Sequence, residues 1–129
     1  MSSPAASLQL GQLGQISLSV TDIDRAVAFY RDLLGLKFLF QFPNLAFFDC
    51  GGVRLMLDIP EGSSERHASV LYFKVNHIEE AYQTLSSRGV PFDEKPHLIA
   101  RMPDHELWMA FFRDPDKNIL ALMCEVRPA

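Results

Sequence analysis

The sequence predicts an α+β fold made of two βαβββ modules in tandem. A segment that occurs twice, at residues 15–35 and 70–89, leads there first: Val20 matches Val75, Ile23 matches Ile78, Ala26 matches Ala81 and Gly35 matches Gly89. Each copy then alternates like a strand before its apolar residues recur at helical spacing. Three short apolar runs bounded by turn residues follow each copy. A sheet with its helices on one side is the economical way to bury both apolar helix faces.

In the first module, Ile16, Leu18 and Val20 alternate with Gln15, Ser17 and Ser19, giving a strand with one apolar and one polar face. Asp22 is placed to cap the next helix and Asp24 suits its first turn. Ile23, Ala26, Val27, Tyr30 and Leu34 form the buried face of that helix, and Gly35 supplies a left-handed stop. Strands are expected over about 36–42, 44–50 and 53–59, with Gly51-Gly52 as a tight hairpin. The polar stretch from Pro60 to about His67 reads as a linker.

The second module repeats the order. Residues 70–75 form its first strand, and Asn76 with Glu79 resembles a capping box. Ile78, Ala81, Tyr82 and Leu85 supply the buried helix face. Strands are expected over about 92–100, 107–113 and 119–125, the last two joined by the turn Asp114-Pro115-Asp116-Lys117-Asn118. A frayed tail is expected up to residue 13 and a single domain over 14–126.

Composition excludes several function classes. The chain has 129 residues and a net charge of −4, with no basic run or basic patch interleaved with aromatics. Neither nucleic acid nor a membrane surface is therefore an expected partner. No apolar run approaches the roughly 20 residues of a membrane span. The N-terminus lacks the basic and apolar regions of a signal peptide, and two cysteines make no disulfide framework, so a cytoplasmic protein with free thiols is expected.

Two motifs carry a family resemblance. The pattern from Val20 to Leu36, Val-x-Asp-x-x-Arg-Ala-x-x-Phe-Tyr-x-x-x-Leu-Gly-Leu, and Phe-Arg-Asp-Pro-Asp-x-Asn at Phe112 to Asn118, resemble the vicinal oxygen chelate superfamily. That group includes glyoxalase I, bleomycin resistance proteins, extradiol dioxygenases, fosfomycin resistance enzymes and methylmalonyl-CoA epimerase. The resemblance covers roughly residues 14–126 and implies a curled mixed sheet around a cavity, with the helices on its outer face. It also implies a homodimer, often with the cavity completed across the interface. In the enzymes a divalent metal in that cavity chelates two substrate oxygens.

The resemblance places four ligand positions. The first lies seven residues before Asp22, at Gln15, where animal-type glyoxalase I also has Gln. The second falls at Met56 in Leu55-Met56-Leu57, the third at Val70, five residues before Val75, and the fourth at Ala121 in Leu120-Ala121-Leu122. Gln15 is a neutral oxygen donor, Met56 a soft thioether, and Val70 and Ala121 offer no donor, whereas Ni²⁺, Zn²⁺ or Fe²⁺ sites need imidazole or charged ligands. Only Gln15 is retained as a ligand, so no metal is expected in the usual position and no other cofactor is called for.

Alternation places Arg54 with Met56, and Tyr72 and Lys74 with Val70, on the expected cavity face. Such a cavity suits a small, partly hydrophobic molecule, with Arg54, Tyr72 and Lys74 as polar contacts. The same positions also read as plain core. The segment 96–108 is the second unusual stretch. An Asp104, His105 and Glu106 group near His97 could do acid–base work, or donors from His97, His105 or Glu106 could join Gln15 in holding a metal in a shifted place. It reads equally as a polar strand connection anchored by Trp108. Three functions stay open: a metal-free small-molecule binding protein of the bleomycin-resistance type, a metal-dependent glyoxalase or dioxygenase with an altered site, and a purely interacting or regulatory dimer with no ligand. At Lys117 the family turn has Gly, and a left-handed residue there costs about 1 kcal/mol.

Overall fold

The structure, a computed structural model, describes residues 8, 10–60 and 69–128. Most of the expected tail and of the expected linker, His67 included, lies outside the described residues. The first module consists of β1 (Gln15–Ser19), α1 (Ile23–Val27), a π-helical turn (Ala28–Leu33), β2 (Lys37–Phe42), β3 (Leu45–Cys50) and β4 (Val53–Asp58). The second consists of β5 (Leu71–Lys74), α2 (Ile78–Ser87), β6 (His97–Arg101), β7 (Glu106–Arg113) and β8 (Ile119–Val126).

Each module forms a four-stranded mixed sheet, ordered β1-β4-β3-β2 in the first and β5-β8-β7-β6 in the second. The first strand of each pairs parallel with the last, and the remaining pairs are antiparallel. The α+β architecture of paired βαβββ units is thus as the sequence indicates. α1 packs on β3 and β4, and α2 on β7 and β8. One apolar cluster joins both modules, with Leu18, Val20 and Phe48 from the first and Ala110, Phe112 and Leu120 from the second.

The repeat explains the helix ends. Matching residues are offset by 55 up to Ala26/Ala81 but by 54 at Gly35/Gly89, so the first copy carries one extra residue. A π-helical turn absorbs a single insertion without rotating the rest of the helix off its buried face. The Leu34 N–H accordingly donates to Phe29 O at 3.1 Å, and the Leu36 N–H to Tyr30 O at 3.0 Å. In the second module the ring is one residue tighter, from Val90 N–H to Leu85 O at 3.0 Å. Both helices still stop at a left-handed glycine, Gly35 at φ 75° and Gly89 at φ 92°.

The caps differ. Asp22 accepts a hydrogen bond from the Arg25 N–H at 3.0 Å, as expected. The capping box expected at Asn76 does not form. α2 starts one residue later, with His77 as its N-cap and no side-chain cap bond. The strand expected over 92–100 is also shorter. Phe92 makes only an isolated bridge to Phe112, and the ladder starts at His97.

The turn at 114–118 holds the modules together. Buried Asp114 accepts bonds from the Tyr30 hydroxyl and Asn118 Nδ2, both at 2.8 Å, and from the N–H groups of Asp116 and Asn118 at 2.9 and 2.8 Å. Asn118 Nδ2 also donates to Ser19 O, and Asp116 accepts from Thr21 and Arg25. Lys117 closes the turn in the left-handed region, at φ 66°.

Candidate functional site

Strand register sets out each open sheet face in rows. In the first module Lys37, Asp49, Arg54 and Gln15 lie side by side across the four strands. The next row runs Phe40, Phe47, Met56 and Ser17. Arg54 lies over the Phe47 ring at 5.8 Å, and Phe40 packs against Phe47 at 4.8 Å. Gln15 Nε2 approaches Met56 Sδ at 3.8 Å, so these two residues do meet.

In the second module Ala121 sits between Phe111 and Tyr72. Those rings meet edge-on, 6.3 Å apart, and Ala121 is fully buried. The next row runs His97, Met109, Met123 and Lys74. Phe111 is the contributor that sequence reasoning missed; its register against Ala121 was the signal, and it needed the pairing of β7 with β8.

Arg54, Val70, Tyr72 and Lys74 line one groove of about 680 Å³ at the junction of the modules. Lys37 and Asp49, which were not singled out from the sequence, line it as well. Three cationic side chains thus face one carboxylate, and Asp49 is itself tied to the Gly52 N–H at 2.9 Å. Lys74 also pairs with Glu125 at 3.8 Å. Cys50 is in the groove, but burial, and then the Asp49 carboxylate, push its thiol pKa up, away from a reactive thiolate. The groove can hold an anionic group against an apolar wall.

The remaining candidates lie elsewhere. Gln15, Met56 and Ala121 are not among the groove's lining residues. His97 shares a small cleft with Asp93, Glu94 and Phe111, and its Nδ1 lies 3.2 Å from Lys95 O. His105 belongs to a different pocket near Arg101 and Arg127, with Nδ1 2.8 Å from Asp104. Hydrogen bonds from Arg127 and then His105 hold the Asp104 carboxyl down at about 2. The two histidines stand at opposite ends of the β6–β7 hairpin, because His97 registers with Met109 while Arg101 registers with Glu106. Asp104, His105 and Glu106 therefore do not gather around His97.

Trp108 alternates away from Met109 and pairs with buried Cys124, which places it on the core side of the sheet. Its Nε1 donates to Glu106 at 3.2 Å. This is a correction to its placement among cavity residues: β7 is read with period two, and Trp108 has the wrong parity to share a face with Ala121 through Phe111.

The four residues that the resemblance sets at ligand positions, Gln15, Met56, Val70 and Ala121, do not fit a metal ion, since an amide, a thioether and two hydrocarbon side chains make no such coordination shell. Among the described residues, no three His, Cys, Asp or Glu side chains gather to hold one. Both cysteines are free. Among the described residues, no helix is long and apolar enough to cross a membrane.

Known proteins with the same plan put these faces in context. YraH of Bacillus subtilis (strain 168) is 32% identical over 129 residues, which cover 86% of this chain and 96% of YraH. Metallothiol transferase FosB of Staphylococcus saprophyticus is 30% identical, over 81% of this chain and 70% of FosB. A lactoylglutathione lyase from Agrobacterium tumefaciens superposes with a TM-score of 0.74 at 25% identity, over 90% of this chain and 95% of the lyase. The model of the Glyoxalase/Bleomycin resistance protein/Dioxygenase superfamily matches residues 12–122, which takes in both modules and the Asp114–Asn118 turn that locks them, and the chain belongs to that superfamily.

Proposed function

We propose that this protein binds a small, partly hydrophobic acid in the junction groove, without the metal that the family's enzymes hold. The observation that carries the reading is the groove itself, where Lys37, Arg54 and Lys74 stand among apolar side chains and, among the described residues, Asp49 is the one acidic residue of the lining. Charge-assisted hydrogen bonds from such groups orient a carboxylate, and the apolar wall supplies most of the affinity. The donor-poor set Gln15, Met56, Val70 and Ala121 supports the metal-free part.

The working form is a homodimer in a reducing cytoplasm. The open faces that carry Gln15 with Met56 and Ala121 with Tyr72 belong to different sheets. Phe40 and Phe42, at the edge of the first sheet, are exposed aromatic surface that a second copy would cover.

Isothermal titration of tag-free protein with 2-naphthoate tests the reading. Binding near one equivalent per chain is expected, unchanged by EDTA. Replacing both Arg54 and Lys74 by Gln should weaken it about tenfold or more. Binding that appears only after Ni²⁺, Zn²⁺ or Mn²⁺ is added would sink the metal-free reading. It would favour a second one, an enzyme with a displaced metal site, for which the names of FosB and the lactoylglutathione lyase speak.

A further inference from the structure

Two cavities meet where the modules join. One is the cationic groove. The other, about 410 Å³, opens on the helix side of the second sheet. Leu34, Val75, Ala81, Leu85, Phe112 and Leu122 form its apolar walls, and the exposed His77, Glu80 and Thr84 reach it from α2. Leu36 and Phe73 line both cavities.

The chain itself sets up this partition. Gly35, in its left-handed turn, swings Leu36 back so that its N–H returns to Tyr30 O. Phe73 lies between Tyr72 and Lys74 on β5, so its side chain points to the opposite face, where it registers with Leu122. Tyr72 and Lys74 therefore belong to the groove, while Leu122 belongs to the apolar cavity. Leu36 and Phe73, both half-buried, stand where the cationic cavity and the apolar one adjoin beside β5.

We propose that the two cavities form one elongated site for a linear amphipathic acid, an aliphatic carboxylate of medium chain length. Its carboxylate lies among Lys37, Arg54 and Lys74. Its chain passes between Leu36 and Phe73 and ends against Ala81, Leu85 and Leu122. The proposal rests on the acid-binding reading above and adds the shape of the ligand. Charge fixes which end lies where, since three cations line one cavity and apolar walls the other. The site bends around Leu36 and Phe73 from one face of β5 to the other, and a flexible chain follows such a bend where a rigid ring system does not. Covering the walls of the second cavity removes apolar surface from water, so affinity should grow with chain length.

Isothermal titration of the EDTA-treated full chain with hexanoate, octanoate, decanoate and dodecanoate tests this, with 2-naphthoate as a short rigid acid. Full burial corresponds to about a fourfold gain in affinity per methylene, so each two-methylene step of the series should gain about fifteenfold. Thr84→Trp, at an exposed position, and Ala81→Phe should each flatten the series and leave 2-naphthoate unaffected. Arg54→Gln with Lys74→Gln should weaken every member by a similar factor and keep the slope. A flat series in the wild type with 2-naphthoate still bound would overturn the elongated site and leave the acid-binding reading standing. Loss of 2-naphthoate as well would overturn both. A steep series that neither Thr84→Trp nor Ala81→Phe flattens would place the chain elsewhere and also overturn the proposal.

Discussion

Val20 and Ala26 in the first module are fully buried, whereas their counterparts Val75 and Ala81 in the second line an open cavity. Tyr30 and Leu85 make a similar pair. The Tyr30 hydroxyl reaches Asp114 across the module junction, while Leu85 faces the apolar cavity. The residue types are nearly the same in both copies, so the repeat does not account for the difference. What lies opposite does. α1 is closed over by the Asp114–Asn118 turn, and α2 faces Leu34 and Leu36 across a gap. A repeated pattern thus specifies which face of an element is apolar, and the neighbouring module decides whether that face is filled.

The largest test of this contrast is the lock on the first module. Asp114→Ala removes four hydrogen bonds and leaves the buried Tyr30 hydroxyl without its acceptor, at an expected cost of about 3 kcal/mol or more in urea unfolding. A loss below about 1 kcal/mol would show that the turn does not hold the modules together. Filling the two equivalent alanines comes next. Ala26→Leu should destabilise by about 2–3 kcal/mol through overpacking, while Ala81→Leu, with room beside it, should stay within about 0.5 kcal/mol of neutral. Equal costs at the two sites would erase the difference in packing.

A third test is electrostatic. Burial, followed by the Asp114 carboxylate, holds the Tyr30 phenol protonated well above the usual range. The unfolded chain releases that proton near pH 10 and the folded one does not, so the folded state binds more protons above that pH. Stability should be unaffected below pH 10 and fall above it by up to about 1.4 kcal/mol per pH unit. Denaturation curves of Tyr30→Phe should lack this added slope, and a slope that survives the substitution would assign it to other groups. The smallest effect concerns the caps. Asp22→Ala should cost about 1 kcal/mol, whereas His77→Ala should cost little, because no His77 side-chain bond caps α2. Thermal midpoints of the two variants measure the difference directly.

Much of this contrast was legible in the sequence, though unevenly. Both helices, the Asp22 cap, the glycine stops and the strands follow from local periodicity and backbone preference, and they are where the pattern puts them except for the strand expected over 92–100, whose ladder starts at His97. The one-residue slip between Ala26/Ala81 and Gly35/Gly89 was visible too, but its resolution as a π-helical turn requires the helix face to be pinned by the core. Asn76 was a reasonable cap by type, and α2 instead starts after His77. Asn76 O is engaged by Cys124 Sγ at 3.4 Å from β8, a long-range contact that no local pattern contains.

The site divides in the same way. That Gln15, Met56, Val70 and Ala121 make a poor metal shell is a matter of side-chain chemistry, and the sequence alone determines it. Period two was enough to group Tyr72 with Lys74 and Arg54 with Met56. It could not show that Arg54 and Lys74 share a groove with Lys37, that Phe111 packs beside Ala121, that Trp108 lies on the core side, or that Leu36 and Phe73 stand between two cavities. Those relations join residues distant along the chain, set by strand order, register and the packing of one module on the other. Local sequence determines which way a side chain points from its own element. Only the tertiary structure decides what it meets there, because that depends on the free energy of the whole packed core.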